Sequence, residues 1–395
     1  MFEKLSPAPE DKIIALIAEF AADERDNKID LGVGVYKDAT GNTPIMTAVK
    51  KAEDRRVKDQ TTKTYVGMAG NIGFNNAMMD LILGDSISRD RVRAAQAPGG
   101  TGALRLIADL LNIAKPGATV YISDPTWPNH IPLMEAAGLK TATYPYFDAE
   151  KRNVRFDDLC AAVAKMTSDD ILLLHGCCHN PTGANLTNDQ WDKLTDIIED
   201  AGVFVLVDIA YLGFGDGLEE DAYGLRKLTS TLPEMAVAAS CSKNFGLYRE
   251  RVGCAMVIGA DEETTNITFS QLLGAARANY SMPPDHGAEI VNIILNDKDL
   301  RAEWEAELTD VRNHMVTIRE KLAEAMRKRS NSADYDFIAQ HRGMFSLIGI
   351  SPEQVAKLKK DNGVYMVGNS RMNIAGLGVD KIDIFADALA ELARD

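Results

Sequence analysis

Residues 203–211 read Val203-Phe204-Val205-Leu206-Val207-Asp208-Ile209-Ala210-Tyr211. Five consecutive apolar residues, three of them valine, make a strand apolar on both faces. Such strands belong to parallel sheets covered by helices on each side. The run ends in a carboxylate, Asp208. A charge at the end of a buried strand is costly unless a cation or a set of hydrogen bonds meets it. A protonated ring nitrogen held at the strand end would meet it. A helix N-cap after the strand is the structural alternative.

Working outward, Ala118–Ser123, Thr141–Tyr146, Ile171–His175, Ala236–Ser240 and Val252–Ile258 carry the same strand signature, with the first strand at Val203–Val207. Amphipathic stretches such as Leu104–Leu111 and Gln190–Glu199 lie between them. This alternation predicts an α/β domain with a mainly parallel sheet, whose ligands bind beyond the carboxyl ends of the strands. After Pro283-Pro284 the pattern changes. Asp299–Lys328 reads as one long charged helix, followed by sparser strand signals at Phe337–Ile350 and Val364–Ile374. A second, smaller α+β domain is expected there, joined by part of the N-terminal segment. The expected partition is 1–42 as arm and part of the small domain, 43–300 as the large domain, and 301–395 as the small one.

The chain has 395 residues, 46% of them hydrophobic, enough for sizeable cores. Its net charge of −15 argues against nucleic acid or an anionic membrane as partner. Five cysteines, an odd number, and the absence of a leader pattern in residues 1–11 predict reduced thiols and a cytoplasmic location. No apolar run is long enough to span a membrane.

Four further motifs carry chemistry. Pro98-Gly99-Gly100-Thr101-Gly102 runs into a helical pattern, so free backbone N–H groups there suit a phosphate; a glycine-rich cap with no ligand is the alternative. Ser240-Cys241-Ser242-Lys243-Asn244-Phe245-Gly246, followed by Arg251, ends an apolar strand in a lysine flanked by small hydroxyls. A desolvated lysine near other cations becomes an amine nucleophile, and the serines with Arg251 suit a phosphate. His175-Gly176-Cys177-Cys178-His179-Asn180-Pro181-Thr182-Gly183 invites a zinc reading. Adjacent cysteines on extended backbone point to opposite faces, however, and the spacing matches no common zinc pattern, so no metal is expected. Arg277 and Arg371 lie outside charge runs and suit bidentate grip on carboxylates, or structural ion pairs.

Together these segments resemble the class I aminotransferases of fold type I, in particular the aspartate and aromatic amino acid group. The resemblance runs from Leu31-Gly32-Val33-Gly34-Val35-Tyr36-Lys37-Asp38 to Asn373-Ile374-Ala375-Gly376-Leu377. The blocks around Lys243 and Asn180 are its most specific parts. It implies a three-layer α/β/α large domain whose sheet has one antiparallel strand. It also implies pyridoxal 5′-phosphate as cofactor, with amino acids and 2-oxo acids as substrates in ping-pong transamination. Cis peptides are implied at Asp124-Pro125 and Asn180-Pro181.

By the same resemblance, Lys243 carries the cofactor covalently and moves the substrate proton. Asp208 pairs with the pyridine nitrogen, supported by His130, while Tyr211 and Asn180 bond the ring oxygen and Trp127 stacks on the ring. Gly100, Thr101, Ser240, Ser242 and Arg251 form the phosphate cup, completed by Tyr65 from the neighbouring subunit of a homodimer. Arg371 grips the α-carboxylate, with Gly34 beside it, and Asn180 and Trp127 also face the substrate. Arg277 reaches across the dimer to a side-chain carboxylate, and in dual-specificity members swings aside for an aromatic ring. Met282 and Thr64 depart from the aspartate pattern, whereas Lys37 and Thr43 keep to it. The balance leans to dual aromatic and aspartate specificity, with strict aspartate specificity as the alternative. A lyase on this fold, or a non-catalytic binding protein, are the other readings; the paired arginines oppose the first and the retained Lys243 and Asp208 the second.

Overall fold

In the computed structural model, strands β1 (Val92–Pro98), β2 (Thr119–Asp124), β3 (Lys140–Pro145), β4 (Asp170–His175), β5 (Phe204–Ile209), β6 (Met235–Ser240) and β7 (Val252–Ile258) form one sheet in the order β1-β7-β6-β5-β4-β2-β3. The neighbours from β3 to β6 pair in parallel, and β7 runs antiparallel to both β6 and β1. The expected mixed sheet with one antiparallel strand is therefore present. Every residue of β6 and β7 is buried, which requires cover on both faces and explains their continuous apolar sequences.

The structure describes residues 1–7, 12–38 and 40–392. Residues 8–11 of the N-terminal stretch read above, Ala39, and the end of the expected small domain (393–395) lie outside the described residues. The chain divides into two compact units, Pro44–Asn313, and Met1–Thr43 with His314–Asp395. The helix Lys298–Ser330 contributes residues to both.

In the larger unit, helix α1 (Gly99–Ala114) starts directly after β1 and presses Ala103, Leu104, Ile107 and Leu111 into the core holding Val120, Ile122 and Leu206. Helix α2 (Asn188–Ala201) is bounded by a Thr187–Gln190 capping box and by Gly202 at a left-handed C-cap, as its sequence demands. Strand β1 was absent from the sequence reading. Its residues, Val-Arg-Ala-Ala-Gln-Ala-Pro, favour helix locally, and seven register pairs with β7 override that preference.

In the smaller unit, Ile29–Asp30 pairs in parallel with Val364–Tyr365, and Phe345–Leu347 antiparallel with Arg371–Asn373. The strand signals read within Phe337–Ile350 hold only for part of that stretch. Phe337–Gln340 is a short helix and only Phe345–Leu347 is strand. The fully buried Arg319 gives a reason: its guanidinium donates to the carbonyls of Ile338, Gly343 and Phe345 and to Ser346 Oγ. This backbone is satisfied by a side chain instead of a long ladder. Among the described residues, no helix is long and apolar enough to cross a membrane.

Candidate active site

Because β4, β5 and β6 are parallel, their carboxyl ends share one edge of the sheet. His175 pairs in register with Asp208, and Asp208 with Ala238, two residues before Ser240. A cavity of about 200 Å³ opens at this edge, lined by Gly100, Thr101, Trp127, Asn180, Asp208, Tyr211, Ser240, Ser242, Lys243 and Arg251. Residues drawn from five separate segments of the sequence thus meet in one place.

Lys243 sits in the turn that follows β6. That turn is pinned from outside: Trp304 Nε1 donates to Asn244 O at 2.7 Å, and the Trp304 ring stacks on Phe245 at 4.4 Å. Lys243 Nζ lies 4.8 Å over the Tyr211 ring. Burial pushes its pKa down to about 8; Asp208 opposes the shift and Arg251 adds to it. Asp208 Oδ2 lies 3.0 Å from His130 Nε2. Burial alone would raise the Asp208 pKa, but the hydrogen bond from His130 and the nearby Lys243 amine help to bring it below the ordinary value. The cavity therefore holds an anion, and beside it an amine shared between neutral and charged forms.

Where α1 starts in the cavity wall no side chain caps it, so its first N–H groups are available. Gly99 has φ of +73° and a Cβ there would collide with the Arg251 guanidinium, while a Cβ on Gly253 would strike the Gly99 carbonyl. Only glycine lets this helix start, Arg251 and β7 approach so closely. Arg251 Nη1 lies 3.4 Å from Ser242 Oγ. Backbone donors, hydroxyls and a permanent cation converge, the composition of an anion site.

The sequence from residue 26 to 389 matches the family model described as aminotransferase class I and II. The chain belongs to the class I and II aminotransferases. It is 52% identical over 392 residues to the aromatic-amino-acid aminotransferase of Paracoccus denitrificans, covering 99% of this chain and all of that one. It is 45% identical to the aspartate aminotransferase of Salmonella typhi, covering 98% and 99% of the two chains. The solved aromatic-amino-acid aminotransferase from Burkholderia pseudomallei, described as covalently bound to pyridoxal phosphate, superposes with a TM-score of 0.97 at 38% identity, covering 99% of both chains. Aminotransferases of this family depend on pyridoxal phosphate.

The cavity of this aminotransferase fits that group on its own observations. An anion-binding end, an amine and a carboxylate follow one another around it. Asn180, buried at its wall, has an Oδ1 with no hydrogen-bond partner. Since amide oxygen and nitrogen exchange by a flip, the side chain has bonding capacity left for a ligand oxygen. Trp127 lines the cavity and meets His130 edge-on at 5.2 Å.

Other expected residues of the aminotransferase are not in this cavity. Tyr65 is 91% exposed. Arg277, at the end of the helix Glu262–Asn279, is exposed and donates to Ser281 Oγ at 2.6 Å. Arg371 belongs to the smaller unit, where it is buried, donates to Gly32 O at 3.0 Å and lies 4.4 Å over the Phe345 ring. A Cβ on Gly34 would meet the far atom of that same ring at 3.1 Å.

Two points of the sequence reading change. Cys177 and Cys178 do not point apart: Cys178 has φ of +50°, so the backbone is not extended there. The two sulfurs and an Asp221 oxygen lie within 4.8 Å of one another. The Asp221 carboxylate already accepts from the N–H groups of Gly213, Gly215 and Asp216. Second, His175 and Thr126 were given no role, yet they stand behind His130. The peptides Asp124-Pro125 and Asn180-Pro181 are cis, as the resemblance implied.

Proposed function

We propose that the chain is an aromatic and aspartate aminotransferase that uses 2-oxoglutarate as amino acceptor, acting as a homodimer in the cytoplasm. The observation that carries this reading is the meeting of Lys243, Asp208 and the Gly100–Ser240–Arg251 anion site around one cavity. Pyridoxal phosphate, when bound, supplies a carbonyl carbon for the amino group and a cationic ring that withdraws electrons from Cα.

The residues do the rest. Gly100, Thr101, Ser240, Ser242 and Arg251 hold the phosphate. Asp208, braced by His130, pairs with the ring nitrogen and keeps it protonated. Asn180 and Tyr211 hydrogen-bond the ring oxygen, and Trp127 packs on the ring. Lys243 attaches the cofactor and then takes the proton from substrate Cα, for which an amine titrating near 8 is well matched. Arg371, supported by the Phe345 ring, grips the α-carboxylate, and Gly34 keeps that surface open.

Tyr65 and Arg277 complete the site of the partner subunit. Their exposure in the isolated chain accords with that role. The relatives named for aromatic and for aspartate substrates are almost equally similar, at 52% and 45% identity. Together with Met282 in place of asparagine, this favours dual specificity. A panel of amino donors with 2-oxoglutarate tests it, comparing kcat/KM for the wild type and Arg277→Ala. The variant should lose aspartate activity and keep aromatic activity. Equal loss of both would exclude a swinging arginine, and no aromatic activity in the wild type would leave strict aspartate specificity.

A further inference from the structure

The loop after β2 places Thr126 where no role above uses it. Its Oγ1 lies 2.8 Å from His130 Nδ1 and 3.2 Å from His175 Nε2. Outward from these rings, His130 Nε2 lies 3.0 Å from Asp208 Oδ2, and Asn180 N donates to His175 Nδ1 at 3.4 Å. The four contacts make one unbranched chain from the Asn180 backbone to the Asp208 carboxylate.

The direction of that chain follows from its ends. A backbone N–H only donates, so His175 Nδ1 carries no proton. The ring proton of His175 is then on Nε2 and is donated to Thr126 Oγ1. A hydroxyl has a single proton, and that of Thr126 goes to His130 Nδ1. His130 in turn holds its proton on Nε2 and donates it to Asp208. From the other end, an ionised carboxylate only accepts, which demands the same order. Reversing the threonine hydroxyl would set a protonated His175 Nδ1 against the Asn180 N–H, two donors face to face.

We propose that Thr126 is a positioning residue that locks His130 with its one ring proton on Nε2, leaving Asp208 an uncompensated carboxylate at the cavity. The inference rests on the role of Asp208 given above and deepens it. A second proton on His130 Nδ1 would make an imidazolium, whose charge would offset that of Asp208 and weaken its hold on a cationic ring. Thr126 blocks that proton because its own O–H already occupies the Nδ1 lone pair. Nor does His175 supply one. Its ring is enclosed between His179, stacked at 4.2 Å, and His130, edge-on at 5.1 Å. Burial first, and His130 second, push its pKa down to about 3.

The test uses the full-length protein carrying ¹⁵N-histidine, with and without pyridoxal phosphate. Its six histidines are assigned by single substitutions. In the wild type, His130 should show a protonated Nε2 and an unprotonated Nδ1 in both forms. Thr126→Val keeps the shape but neither donates nor accepts. It should show a proton shift at His130, to the imidazolium or the other tautomer, and a kcat lower by roughly tenfold with KM little changed. Thr126→Ser should restore both. Thr126→Ala serves as a second deletion if the valine variant misfolds. A His130 pattern unchanged in the deletions, or not restored by serine, overturns the proposal. Failure of the wild type to take up pyridoxal phosphate would instead overturn the cofactor role of Asp208, and the unloaded spectra separate the two outcomes.

Discussion

Lys243→Met should make the cofactor-free protein more stable at neutral pH, although it removes the amine on which activity depends. Burial lowers the Lys243 pKa from 10.5 to about 8. At about 1.4 kcal/mol per unit, holding the ammonium in the cavity costs the folded chain on the order of 3 kcal/mol. The sign follows from proton counts. Below pH 8 folded and unfolded chains both hold the proton, and the cost is present in full. Between pH 8 and 10.5 the folded chain has released it while the unfolded chain keeps it, so stability from this group rises with pH. Above 10.5 the cost is gone. Methionine fills similar volume without charge, and Asp208 keeps its hydrogen bond from His130 after the change. Urea unfolding of the stripped, full-length proteins at fixed concentration is the assay. The variant should be more stable than wild type at pH 7, and the gap should shrink towards pH 10. A variant less stable at pH 7, or a gap indifferent to pH, would show that the lysine is not held against desolvation.

Three other outcomes are expected. Asp208→Asn keeps the shape but loses the charge, so kcat should fall by about a thousandfold while the visible cofactor band persists; a loss under tenfold in steady-state assays would contradict its role. Gly253→Ala drives a methyl into the Gly99 carbonyl, which should destabilise by about 1–3 kcal/mol and weaken uptake of pyridoxal phosphate, read by thermal unfolding and by titration of cofactor absorbance. Arg319→Met leaves three carbonyls and one hydroxyl without their donor. It should lower stability by several kcal/mol, whereas a neutral result in urea unfolding would mean that water takes over those bonds.

The parts of the fold that could be read from sequence are those where local and tertiary forces agree. Strands β4 to β7 are buried on both faces, so their apolar runs announce them. Strand β1 could not be read that way. Its alanines leave room for close packing, and that advantage exists only once β7 lies beside it. Lys243 and Asp208 stood out because each is polar at the end of an apolar run, and Asn180 because it opens an Asn-Pro-Thr-Gly turn beyond a strand end. Thr126 did not, because its partners are His130, four residues on at the start of the helix His130–Ala136, and His175, distant in sequence. The argument that Cys177 and Cys178 face apart failed on one torsion angle, the left-handed φ of Cys178. Nothing in two adjacent cysteines signals that angle.

An acidic chain of net charge −15 that handles anionic ligands must place its cations by position and not by abundance. The cavity does this with two kinds of cation, a desolvated amine and a solvent-exposed guanidinium. Desolvation acts on Lys243 by making its neutral form accessible, since an ammonium can shed a proton. Arg251, by contrast, stands exposed to solvent, where a guanidinium serves as a permanent cation. The site thus pairs a desolvated, reactive amine with a solvent-exposed permanent cation, and the cation pushes the amine further towards its neutral form. Asp208 pulls the other way, so the amine is left near 8 and not far lower. The chemistry assigned to Lys243 therefore depends on Arg251 and Asp208 acting on it in opposite senses, and the β5–β6 pairing that brings the end of β5 beside the end of β6 sets Asp208 on the same edge of the sheet as the turn that carries Lys243.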